Sequence, residues 1–208
     1  MRIDRKHLDT TGDFLSIWGL PWPRGRNEVD TGQYDAQTDV FGASGGATLY
    51  RATMLQDIGL FDEDFFAYYE DVDLSFRAQL AGWRTFYEHQ AVAYHHLSAT
   101  SSKHGDLARF HSAKNFILLY AKNMPLKLYL KYCPLFVLQF LRMAASSTLR
   151  GKPGPFLRGT WAAVRLHSGT VRKRKQIQAA RKVPVGYIDG ILYHHRPPKP
   201  PRITEVGT

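Results

Sequence analysis

The sequence predicts an α/β chain: a mixed part over residues 1–123, a basic and mostly helical region over 124–195, and a disordered Pro-rich tail over 196–208. Three observations lead there. The 208 residues are 44% hydrophobic and 13% aromatic, enough for a sizeable core and too much for a fully disordered chain. The charge is divided: residues 1–120 carry 11 Lys/Arg against 16 Asp/Glu, a net −5, whereas residues 121–208 carry 17 against 2, a net +15. Glycine and proline punctuation changes along the chain, dense and irregular at first and then spaced to leave long periodic runs.

The elements follow in order. Residues 1–38 are rich in Gly, Pro, Asp and Thr without sustained period and read as loop. Asp39 to Tyr50 holds strand-like residues around the pair Gly45-Gly46. Arg51 to Ile58 reads as a short helix stopped by Gly59, and Glu70 to Ala81 as a second. In the second, Val72, Phe76 and Leu80 recur every four positions, and Gly82 supplies the left-handed stop. Arg84–Glu88 and Ala91–Tyr94 read as short strands. Helices are expected from Gly105 to Asn123, over 125–150 and over 155–182, divided by Asn-Met-Pro125 and by Gly151-Lys-Pro-Gly-Pro155.

The densest ionisable stretch, Asp57 to Asp73, contains seven carboxylates and five aromatic residues. Rings that require burial bring some of these acids to the wall of an aromatic pocket, where a raised pKa suits general-base chemistry near neutral pH. Glu70 and Asp71 open the second helix, where carboxylates are favoured by its positive end. Asp73 and Arg77 are spaced to pair. The same residues also read more simply as helix capping plus one ion pair. His95-His96 follows the second strand and reads either as a metal-ligand position or as an ordinary core or surface histidine. Gly45-Gly46 serves either a turn or the close approach of backbone to a ligand.

The strings Phe41-Gly-Ala-Ser-Gly-Gly-Ala-Thr-Leu-Tyr-Arg51, Ile58-Gly-Leu-Phe-Asp-Glu-Asp-Phe-Phe-Ala-Tyr-Tyr-Glu-Asp-Val-Asp-Leu-Ser-Phe-Arg77, Gly82-Trp83 and Ala93-Tyr-His95 resemble the second half of a family 2 glycosyltransferase of the rhamnosyltransferase-like type. The resemblance covers roughly residues 25–125 and is specific for the family but not for the sugar. It implies the acceptor-side half of a GT-A fold and inverting transfer from a nucleotide-sugar donor to a glycan or polyprenyl-linked acceptor in bacterial cell-surface polysaccharide synthesis. Carried onto this chain, Asp71 is the base and Glu70 orients or assists it. Ser44, Gly45 and Gly46 line the cleft with Asp73 and Trp83, and His95 is the candidate ligand of a divalent metal, Mg or Mn, or a pyrophosphate contact. The nucleotide-binding half that such enzymes carry first is not found before Met1. Neither Asp62-Glu-Asp64 nor Asp71-Val-Asp73 follows an apolar strand, so neither reads as the nucleotide–metal motif. The expectation is therefore a truncated or split enzyme that pairs with a missing N-terminal half or self-associates. Autonomous activity stays open, and the alternative is a non-catalytic membrane-associated remnant or scaffold of the same fold.

In the basic region Tyr132 to Leu141 is a ten-residue charge-free run between Lys131 and Arg142. It falls short of the roughly 20 apolar residues of a spanning helix and suits a helix lying on an anionic membrane surface. Arg172-Lys-Arg-Lys175 and Arg181-Lys182 add cations toward lipid headgroups. The other reading is a core-packing helical hairpin with a solvated charge run. Residues 165–183 contain no Phe, Tyr or Trp, so no nucleic-acid partner is expected. A lone cysteine, Cys133, excludes an intrachain disulfide framework and a Cys-rich zinc module. No His-x-x-x-His spacing supports a metallohydrolase. The polar start lacks the apolar core of a secretory signal, so the expected location is cytoplasmic, peripheral at the inner face of the membrane.

Overall fold

Two proline residues decide where the first hairpin sits. The computed structural model describes residues 6–95 and 105–201. In it β1 (Asp13–Leu15) pairs antiparallel with β2 (Pro21–Pro23), with Phe14 opposite Trp22. Pro21 and Pro23 have no N–H to give, which confines β2 to the sheet edge. The other side of β1 is used at both ends. Asp13 exchanges backbone bonds of 2.8 and 3.0 Å with Gly42, and Leu15 and Ile17 bond to Tyr193 from the far end of the chain. Through Gly42, β1 meets β3 (Asp39–Val40), which pairs antiparallel with β4 (Thr85–Phe86). Glycine is required at this junction: a Cβ on Gly42 would lie 2.6 Å from the Ser75 side chain, and one on Gly12 (φ +114°) 2.4 Å from Val40.

The helices are α1 (Ala52–Ile58), α2 (Glu70–Leu80), α3 (Gly105–Asn123), α4 (Leu126–Leu149), α5 (Pro153–Arg165), α6 (His167–Ala179) and α7 (Val185–Ile191). Helix therefore predominates over strand. Gly59 ends α1 with φ +78°, and the Arg77 guanidinium donates to the carbonyls of Ile58 and Leu60 beyond it. Four sequence expectations need correction. The loop over 1–38 contains the β1–β2 hairpin, because the alternation across its turn is only three residues long on each side. Residues 41–50 and 91–93 are irregular, so strand stops at Val40 and only a single bridge forms at Tyr94. The helix expected over 155–182 breaks at Leu166, just ahead of His167-Ser-Gly-Thr170, a run of weak helix formers. Helix α7, seven residues with two glycines, has too little periodicity to be read at all. The tail is irregular over 196–201, and its last seven residues lie outside the described ones, as does His96.

One core joins both parts of the chain. Leu15, Phe41, Phe65 and Phe76 pack with Leu119, Leu128, Tyr132, Ile188 and Leu192, so the boundary expected at 123/124 falls within shared packing. Each fully buried phenylalanine contributes about 2 kcal/mol of transfer free energy. α5 lies close on α3 at Gly159, where a Cβ would lie 2.2 Å from the Phe110 carbonyl oxygen.

A buried ionic chain fastens the segment before α2. Asp73 pairs with Arg77 at 3.0 Å, as their spacing predicts, and with Lys122 at 2.7 Å, while Asn123 donates to it at 2.7 Å. Lys122 reaches on to Asp62 at 2.5 Å, and Lys173 of α6 bridges Asp62 and Asp64 at 2.6 and 2.5 Å. Burial would push the Asp62 carboxyl up, but Lys122 and Lys173 outweigh it and hold it at about 2. Removing one partner from such a buried pair costs about 3–5 kcal/mol, because the other charge is left unmatched.

Candidate active site

The backbone entering α2 is strained. Phe66, Tyr68 and Tyr69 have φ of +61°, +65° and +70°, a region bulky side chains avoid. Each such residue costs about 1–3 kcal/mol and persists only where its surroundings hold it. Here they do. The Asn115 side-chain amide, buried on α3, donates to the carbonyls of Phe65 at 2.9 Å, Ala67 at 2.8 Å and Tyr68 at 2.6 Å. Lys114 donates to the Asp64 carbonyl. Phe65 is wholly buried beneath this turn. The turn delivers Glu70 and Asp71 to the first positions of α2.

Asp71 is half-buried, and both of its oxygens accept backbone N–H groups: Oδ2 from Gly45 at 2.9 Å and Oδ1 from Val72 at 2.8 Å. A Cβ on Gly45 would stand 3.5 Å from that of Asp71, ordinary contact, so the glycine loop lies directly on the carboxylate. Around Asp71 the environment is acidic. Burial, with the Asp71 charge adding to it, pushes the Asp13 carboxyl up to about 7, although Thr10 donates to it at 2.9 Å. Burial also pushes Glu70 up, and its Oε2 is buried without a hydrogen-bond partner among the described residues. The Tyr50 hydroxyl is pushed up to about 12 by burial and by Asp71. Asp71 thus acts on both Asp13 of β1 and Glu70 of α2, and the environment holds those two toward their neutral forms.

His95 lies at the margin of this cluster. Its Nδ1 is 2.7 Å from Oδ2 of the buried Asp9, whose Oδ1 pairs with Arg26 at 2.8 Å, and Asp9 in turn acts on Asp13. Among the described residues no three His, Cys, Asp or Glu side chains converge to hold a metal ion. His95, expected as a metal ligand, is engaged with Asp9, and the described residues do not fit the divalent ion that the resemblance implies. Ser44 and Gly46 flank Gly45, and the Ser44 carbonyl accepts from the Thr48 hydroxyl at 2.5 Å. The other two expected residues face elsewhere. Asp73 is sealed in the ionic chain with Arg77 and Lys122, and the Trp83 indole donates to Asp57 on α1 at 2.8 Å. The cavity of about 530 Å³ between β3–β4 and α7 is lined by none of the expected site residues.

Asp9, Asp13, Tyr50 and Asn115 were not legible as site residues. The only local signal is the short string Asp9-Thr-Thr-Gly-Asp13, two acids around a glycine in an otherwise unpatterned stretch.

The Asp13 shift has a measurable consequence. Its pKa is higher folded than the ordinary 3.8, so its contribution to stability is complete below about pH 4 and is lost as the pH rises through about 7. Asp13→Asn is neutral throughout. Urea unfolding of both proteins at pH 4.5 and pH 8 is expected to show the variant gaining about 3 kcal/mol on the wild type between the two conditions.

Residues 27–116 match the model of "Glycosyl transferase family group 2". The N-acetylglucosaminyl-diphospho-decaprenol L-rhamnosyltransferases of two Mycobacterium tuberculosis strains, CDC 1551 / Oshkosh and ATCC 25618 / H37Rv, are each 35% identical over 97 residues. That alignment covers 44% of this chain and 31% of each relative, so the chain matches about a third of the length of these curated relatives. No solved structure matches at a comparable level. Residues 27–116, which contain Gly45, Glu70, Asp71 and Asn115, are thus similar to the family 2 glycosyltransferases.

Proposed function

We propose that this chain supplies the acceptor side of an inverting, GT-A-like glycosyltransferase acting on a lipid-linked glycan. One observation carries the reading: Asp71 is fixed by the Gly45 N–H beside two carboxyl groups, Asp13 and Glu70, whose pKa values are driven upward. Environments that push neighbouring acids toward neutrality leave one carboxylate to act as base. In the reaction, an acceptor hydroxyl donates to Asp71, which takes the proton as the hydroxyl oxygen attacks the anomeric carbon. The bond from that carbon to the diphosphate of the nucleotide-sugar breaks on the opposite face, and the configuration inverts. Glu70 assists by orientation, and the loop over Ser44–Gly46 borders the acceptor. The rhamnosyltransferases it resembles act on N-acetylglucosaminyl-diphospho-decaprenol, which supports a polyprenyl-diphosphate-linked sugar as the acceptor class.

The test reconstitutes the purified chain with a nucleotide-binding half, adds nucleotide-sugars and a short-chain polyprenyl-diphosphate N-acetylglucosamine, and analyses the lipid product by mass spectrometry and NMR. A glycosylated lipid of inverted anomeric configuration is the expected result. Retention of configuration would overturn the single-base mechanism. Failure both to transfer and to bind the acceptor would overturn the function.

A further inference from the structure

No helix among the described residues is long and apolar enough to cross a membrane. Yet α4 keeps an apolar stripe uncovered: Leu130 is 65% exposed, Leu141 56% and Leu149 87%, with Val137 and Leu138 exposed between them. Positions three, four and seven apart place these residues along one face of the helix.

A pocket of about 400 Å³ opens between α3 and α4 beside this stripe. Its lining includes Arg109, Arg142, Arg150 and Arg196 and no carboxylate. The nearest acid contact on the described residues is that of Asp106, which holds Arg109 at 3.1 Å and is shared with Lys152. Arg142 lies over the Trp18 ring, 5.2 Å from its centroid, and has no carboxylate partner among the described residues. The pocket also contains an unmet polar group. Gln139 is 6% exposed, lines the pocket, and its Oε1 has no hydrogen-bond partner among the described residues. A wall lined by arginines favours a phosphate, since planar forks bind its oxygens in pairs. The unpaired amide oxygen at the wall calls for a hydroxyl donor on the same ligand.

Phosphate and hydroxyl together describe a phosphorylated polyol, and the adjoining stripe says in which form it arrives. Arg142 is one helical turn from Leu138 and from Ala145, so a ligand phosphate at its guanidinium would have its attached chains beside exposed leucines. We infer that the α3–α4 pocket binds the phosphopolyol headgroup of an anionic lipid, with the exposed face of α4 lying among the acyl chains. A helix in that position buries apolar area while Lys127 and Arg142 meet the headgroup layer. The inference stands apart from the glycosyl-transfer reading, because vesicle binding needs neither donor nor acceptor and each can fail alone.

The experiment sediments the full chain with vesicles of phosphatidylcholine alone or with a third of phosphatidylglycerol, and titrates soluble glycerol phosphate separately. Binding is expected to be at least about tenfold tighter to the anionic vesicles. Arg142→Gln with Arg150→Gln should weaken it by about tenfold or more, at roughly fivefold per cation near the surface. Leu138→Ser with Leu141→Ser, both exposed and checked by circular dichroism, should release the chain from vesicles of either composition. Equal binding to both vesicle types, or no change in the arginine variants, would overturn the proposal. Saturable binding of glycerol phosphate that competes with vesicles at the same concentration would assign the pocket to a free phosphate and overturn the lipid source.

Discussion

Asp71→Asn is expected to lower the rate of sugar transfer by about a thousandfold while leaving acceptor binding within a fewfold, because an amide cannot take the hydroxyl proton. The substitution is nearly isosteric, and the amide oxygen can still accept from Gly45 N–H. The loop over Ser44–Gly46 is therefore expected to stay where it is, and the loss should fall on kcat. Glu70→Gln provides the contrast. Its buried Oε2 has no partner and its carboxyl is already driven toward the neutral form, so the amide replaces a group of similar charge and shape. A tenfold loss or less is expected for Glu70→Gln, on the scale of a positioning contact rather than of a missing base. Steady-state kinetics of the two variants side by side, with circular dichroism to confirm folding, separate the roles. Comparable losses in both would remove Asp71 from its special place, and full activity in Asp71→Asn would end the base assignment.

The second large effect is expected at a residue that touches no acceptor. Asn115→Ala removes the donor shared by the carbonyls of Phe65, Ala67 and Tyr68, all in a turn with three aromatic residues at positive φ. An unsatisfied buried carbonyl costs about 1–3 kcal/mol, and the strain is then no longer opposed. A stability loss of about 3 kcal/mol in urea unfolding is expected. If the turn relaxes locally, Asp71 moves with it, so transfer should fall further than the unfolded fraction explains. Asn115→Asp sharpens the test, since a carboxylate facing three carbonyl oxygens is repelled where the amide was held. It should be less stable than the alanine variant. A stable, fully active Asn115→Ala would show that the ionic chain of Asp62, Lys122 and Asp73 holds the turn alone.

What sequence could reveal here was whatever is local. The limits of α1 through α4 followed from periodic apolar positions and from Gly59 and Gly82, whose backbone conformations stop a helix within one turn. The Glu70-Asp71 pair was visible because it heads a helix inside a run of acids and rings. Asp13 could not be seen as its neighbour. The two are brought together by a single bridge between Asp13 and Gly42 and by the packing of Gly42 on Ser75 of α2, contacts that leave no pattern in the string. Asn115 sits in the middle of an unremarkable helical stretch, and its role depends on a turn some fifty positions earlier. The basic run over 172–175 shows the same limit from the other side. A charge run reads as a surface, yet Lys173 turns to Asp62 and Asp64 and Arg174 to the Ala121 carbonyl, while Arg172 and Lys175 stay exposed.

The bridge from Lys173 to Asp62 and Asp64 links positions 111 and 109 residues apart. Long-range closures of this kind form late, after the local helices, because the intervening chain must first be gathered in. During synthesis the acidic turn ahead of Asp71 therefore emerges well before the lysine that fastens it. In the nascent chain Lys122 can reach Asp62 as soon as α3 is out, whereas Asp64 waits for α6, so the last clasp on the turn ahead of the proposed reaction centre closes only once α6 has left the ribosome.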